Sequence, residues 1–240
     1  MSVFRKIRNI IKQRKAVNDA YDDIRKLDEV LLEKRIEIFK EIVTPKFAEI
    51  GLNNWDGKYL WYSDFNSEGI RHVIEYNVFK YYGGSFTFGN CFDFVPSISG
   101  NKLVNHATDK STKILYFKRL EGWQKAMENN SPVNPDEIST VNEKKFRESL
   151  DNVLAENIPK LKLWFLEKKT IDENITGLLE DIKNPPFEVG QRIISFEYVL
   201  GFLYKQKGDI QSAEYWIQKH FHKSVNSDSV KKLVGERIRA

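Results

Sequence analysis

The side chains able to do chemistry are few and scattered along the chain. Asp64, Glu75 and Lys80 come nearest to a metal-dependent nuclease set, in which carboxylates on neighbouring strands hold Mg and a lysine supports the attacking water. Such a site asks for a Glu-x-Lys on one strand, and here Asn77 stands two residues after Glu75. Exposed hairpin charges explain these residues more simply. The single cysteine, Cys91, lies in an aromatic stretch and reads as a packed thiol, and a Gly-x-Ser-x-Gly elbow is absent. His72 and His106 are isolated. His220 and His222, if helical, aim their rings roughly 200° apart and cannot share a zinc ion, so a surface or helix-end pair is expected. Gly83-Gly84-Ser85 lacks the strand, loop, helix and lysine order of a phosphate cradle and is expected to be a turn. The expectation is no catalytic residue, no metal and no cofactor.

The stronger signal is a surface. Arg5, Lys6, Arg8, Lys12, Arg14 and Lys15 fall in the first 15 residues without an acid, beside an apolar stripe of Phe4, Ile7, Ile10 and Ile11. Of 38 basic residues these six leave 32 against 34 acids, so the net charge of +4 belongs to this segment and the body is slightly acidic. Six cations on an amphipathic helix fit a protein partner of acidic character or an anionic membrane surface. Nucleic acid is disfavoured because the body carries no basic excess, and a short dimerising helix pair makes a homodimer a further option. No apolar run approaches the roughly 18 to 20 residues of a membrane span, no signal-peptide core follows the basic start, and one cysteine fits a reducing, cytoplasmic compartment.

The elements that must carry these residues follow from periodicity. Residues 2 to 43 repeat apolar positions at three- and four-residue steps and are expected to be helical up to Thr44-Pro45, with either a break near Asn18-Asp19 or a partner helix to pair with. From Gly51 the chain turns aromatic and β-favouring. Strands are expected at 58 to 65 and 70 to 79, joined by the Asn66–Gly69 turn, then at 86 to 94 and 112 to 118. Alternation places Phe86, Phe88, Phe92 and Phe94 on one face, with Asn90 interrupting the row and Cys91 on the other. A face so apolar is expected to lie under helices. In the last strand Ile114, Tyr116 and Lys118 share a side.

After Gly122 the helical period returns. Asp136 or Ser139 is expected to cap a helix reaching Ile158, Pro159 to bend it, and further helices to fill 171 to 183, 189 to 207 and 209 to 223. The fold class is therefore α+β, with an N-terminal helix, a central antiparallel sheet and a helical C-terminal half. The expected division is a basic amphipathic helix over 1–35, a small sheet domain over 36–122 and a helical domain over 136–240.

Two resemblances follow. Leu200, Gly201, Tyr204, Gly208, Ala213 and Ile217 resemble one tetratricopeptide-like helix hairpin, with Glu197, His220 and Val225 departing from that pattern. The run Phe39–Pro45, then Gly51-Leu52, Tyr59–Tyr62 and Phe86–Gly89 resembles the bacterial domain-of-unknown-function family 4304 over about residues 36 to 120. That resemblance implies a helix leading through a glycine into a small antiparallel sheet, and no residue's role can be carried over from it. Some members of that family look like parts of bacterial immunity or defence systems, which implies protein binding. The functional expectation is a non-enzymatic protein-interaction module of bacterial or phage immunity, with a metal-dependent nuclease or a peripheral membrane protein as alternatives.

Overall fold

The computed structural model describes residues 29–79, 83–131, 133–186, 195–223 and 226–240. The six basic residues between Arg5 and Lys15, the expected break near Asn18-Asp19 and Lys80 lie outside the described residues.

The chain enters as helix α1 (Leu32–Ile38), runs through a π-helical turn (Phe39–Val43) and continues as α2 (Thr44–Ala48). Thr44-Pro45 therefore does not stop the helix, contrary to the sequence reading. Proline cannot donate to the preceding turn and its ring crowds the carbonyl four residues back. The π turn, in which Thr44 N–H reaches Phe39 O, inserts the extra residue that relieves this crowding. Phe39 and Phe47 then meet the rings of Trp61 and Phe86 across the sheet.

The sheet holds β1 (Asn54–Trp55), β2 (Leu60–Tyr62), β3 (Ile70–Val78), β4 (Gly83–Phe92) and β7 (Tyr116–Arg119) in the spatial order 1-2-3-4-7, all antiparallel. β5 (Ser97–Ser99) and β6 (Lys102–Val104) form a separate hairpin, and β8 (Ile138–Ser139) pairs with the start of β4 on the same side as β7. Gly83-Gly84 is not a turn: Val78 pairs with Gly84, and a Cβ there would fall 2.3 Å from the Tyr76 ring. Gly84 lets the Tyr76 ring lie across the strand.

Phe86 and Phe88 point, as the alternation requires, into a core closed by the long helix α4 (Glu143–Leu166), where Phe88 meets Trp164 and Phe165. Cys91 lies on the other face beside Tyr62, Val73 and Ile114. Ile114 and Tyr116 thus occupy opposite faces, correcting the expected strand. Leu115 N–H reaches Asn90 O at 2.9 Å while Tyr116 is Asn90's register partner, so two residues stand against one and the alternation is reset; at the neighbouring Gly89 the strands come so close that a Cβ would sit 1.8 Å from Tyr116 O.

Between sheet and long helix runs the short helix α3 (Glu121–Glu128). α4 is capped by Asn142, whose side chain accepts from Lys145 N–H, rather than by Asp136 or Ser139, and it passes through Pro159 to Leu166. Asp136 instead accepts Trp123 N–H and the Asn157 side chain. α5 (Ile171–Lys183) fills the expected range and carries a capping box at Thr170 and Glu173. α6 (Phe196–Gln206) and α7 (Ile210–Lys223) form the expected hairpin, with Gly201 against Ile217. A final helix, α8 (Asp228–Arg239), which the sequence reading did not foresee, buries Val230, Val234 and Ile238 in a second core with α6, α7, Phe92 and Tyr116.

Candidate interaction groove

A concave site among the described residues follows the outer edge of β7. β7 ends the sheet, so among the described residues no strand takes its outward N–H and C=O groups. Along that edge runs a groove of about 470 Å³. Its floor is apolar, from Phe88, Leu120, Leu161 and Trp164. Alternation sends Phe117 and Arg119 to one side of the strand and Lys118 to the other, so the groove wraps both flanks of the edge. Leu163 of α4 stands at its rim, 57% exposed.

Several charged groups near the floor are held by a neighbour. Lys118 Nζ binds both carboxylate oxygens of Asp181 at 2.7 and 2.8 Å, and Tyr116 OH donates to the same carboxylate at 2.8 Å, pinning α5 to β7. The Arg119 guanidinium lies 4.1 Å from the Trp123 ring and 5.1 Å from the Phe117 ring. Glu121 pairs with Lys125 and with Lys160 at 3.5 Å, and the Lys125 hydrogen bond leads in holding its carboxyl below the usual range. An incoming molecule meets apolar surface beside the strand that ends the order of the described sheet.

The residues singled out for chemistry do not assemble. Glu75 sits on the sheet face opposite α4, and desolvation pushes its carboxyl up. Asp64 lies past the end of β2 and accepts from Asn54 at 3.0 Å; neighbouring Ser63 pairs with His72, three residues or about 10 Å along β3 from Glu75. Among the described residues no three His, Cys, Asp or Glu groups could hold a metal ion, and no helix is long and apolar enough to cross a membrane.

The histidines serve packing. His106 sits between Ser97 Oγ at 3.0 Å and Ser111 O at 2.6 Å, and desolvation lowers its pKa. His220 is buried rather than at the surface: its ring meets Ser195 Oγ, the cap of α6, at 2.8 Å, while His222 is exposed. Desolvation raises the Cys91 thiol to about 11, as a packed thiol requires.

Sequence reasoning missed the groove. Its one signal was the run Leu161-Lys162-Leu163-Trp164-Phe165-Leu166, five apolar residues in six, more than one buried helix face can use. Comparison with protein-family models, curated proteins and solved structures finds no match for this chain.

Proposed function

We propose that this chain is a protein-binding module that receives an extended segment of a partner along the edge of β7. The observation that carries the reading is the coincidence of the last strand in the order of the described sheet with an apolar-floored groove beside it. An open edge offers a row of main-chain donors and acceptors at strand spacing, which another extended backbone satisfies. Side chains alternating along the added strand would meet Trp164, Leu161 and Leu163 on one flank and Phe117 with Arg119 on the other, supplying specificity.

The test is selection of random linear peptides displayed against the immobilised full chain, followed by titration of enriched peptides. Leu163→Arg places a charge at an exposed rim position of a helix and is expected to leave stability within about 0.5 kcal/mol. It should weaken binding at least about tenfold, or about 1.4 kcal/mol, while bound peptide slows amide exchange at Phe117–Arg119. Peptides that bind both proteins equally, or that leave the β7 amides unprotected, would overturn the assignment.

A further inference from the structure

Asn157 lies where α4 lines the groove, yet the residue is only 3% exposed. Its amide nitrogen donates to Asp136 Oδ1 at 2.8 Å and to Val153 O at 2.9 Å. Both partners accept only, so the amide cannot turn over and both of its hydrogens are spent. Oδ1 is the atom left, and it accepts from no described residue. The unpartnered polar side-chain atoms sealed inside the described residues are Trp55 Nε1, Arg71 Nε, Tyr76 OH, Ser85 Oγ and Tyr198 OH. Asn157 Oδ1 is not one of them and so keeps an opening, which on this residue is the groove. It is a fixed acceptor facing whatever enters.

Behind the amide stands Asp136. Its carboxylate is buried, and its second oxygen accepts Trp123 N–H at 2.8 Å at the start of α3. Among the described residues no lysine or arginine pairs with it. A carboxylate one amide away from the opening, with no cation of its own, adds its field to the negative end of the Asn157 dipole. We infer that Asn157 is the specificity determinant of the β7 groove, and that the segment received there carries a lysine or arginine whose stem lies on the apolar floor and whose head donates to Asn157 Oδ1.

The rest of the lining favours the same ligand. Lys118 is engaged by Asp181, Lys125 by Glu121, and Lys160 by Glu156 and Glu121. The exposed carboxylates of Glu128 and Glu167, also in the lining, take no cation among the described residues. The long stem of a basic side chain covers Leu161 and Trp164 while its head keeps a polar partner. An apolar side chain of the same length would cover that floor and leave Oδ1 shut in without a donor. Such a penalty is what makes a hydrogen-bonding site reject an analogue that lacks the donor.

The inference rests on the groove reading, and its test separates the two. Asn157 also supports Asp136, so replacing it endangers the fold, and the change is made in the probe instead. n-Hexylammonium is titrated into the full chain beside n-hexyltrimethylammonium, which keeps the stem and the charge and has no N–H to give. The side-chain amide resonances of Asn157 and the indole N–H of Trp164 are followed. Hexylammonium is expected to shift both saturably, and the trimethyl probe to bind at least about tenfold more weakly, the effect of one hydrogen bond to a charged group. Equal affinities, or no shift at Asn157, would refute the assignment. Among peptides selected on the full chain, a lysine or arginine is expected at one fixed position, and norleucine there should weaken binding at least about tenfold. Peptides that protect the β7 amides without a basic residue, or that tolerate norleucine, would refute it equally. Absence of any β7-binding peptide counts against the extended-segment reading alone, because the ammonium titration decides the acceptor site without a peptide.

Discussion

Replacing Asn90 by alanine should be among the costliest single substitutions in this protein, although Asn90 sits in a strand whose neighbours are phenylalanines. The side chain is fully buried and makes three hydrogen bonds, to Lys168 O, Asn174 Oδ1 and His72 Nδ1. Lys168 O keeps a second donor, the Asn174 amide at 3.0 Å. Asn174 Oδ1 and the His72 ring nitrogen lose the partner that Asn90 supplies. At about 1 to 3 kcal/mol for each buried group left unsatisfied, the loss is about 2 to 6 kcal/mol, against a total stability of about 5 to 15. Urea unfolding followed by tryptophan fluorescence should move its midpoint down by about 1 to 2 M with the slope unchanged. Asn90→Leu separates the two terms, since it restores volume but not hydrogen bonds. It should lose nearly as much as Asn90→Ala. A midpoint shift below about 0.3 M in Asn90→Ala, or recovery of stability in Asn90→Leu, would refute the claim that this amide network fastens the helices to the sheet.

Two further outcomes follow from the close contacts of β4. In Gly89→Ala the new methyl meets Tyr116 O at 1.8 Å and Ile114 Cγ2 at 2.8 Å, so β7 must shift away from β4. A loss of about 2 to 3 kcal/mol is expected, and an unchanged thermal midpoint would contradict it. Cys91, fully buried with its thiol pushed up to about 11 and its Sγ 3.8 Å from His106 O, should resist a thiol reagent at about pH 8 until the chain is unfolded. Rapid stoichiometric labelling of the native protein would show that the loop over this face opens readily.

The period of the side chains was enough to read Phe86, Phe88 and Phe92 as one buried face and Cys91 as packing on the other, because a strand's alternation is a local property of the backbone. Helix α5 was equally legible, since Thr170 and Glu173 cap it within one turn. The continuation through Thr44-Pro45 was not: the π turn holds because Phe39, Val43 and Phe47 are locked under the sheet, where packing outweighs the proline's local preference. Ile114 and Tyr116 failed the alternation because Leu115 and Tyr116 both stand against Asn90, an extra residue that only the pairing with β4 sets.

By itself, then, the sequence determined the α+β class, the apolar faces and the scattering of reactive side chains, all consequences of residue type and near-neighbour spacing. Only the tertiary structure decided that β7 would end the described sheet's strand order beside an apolar groove. It also decided that Asn90 would find its partner 84 residues away at Asn174 and that His220 would be buried against Ser195. Edges and buried polar contacts depend on which segments arrive next to one another, a choice made by packing the whole chain and recorded in no local period.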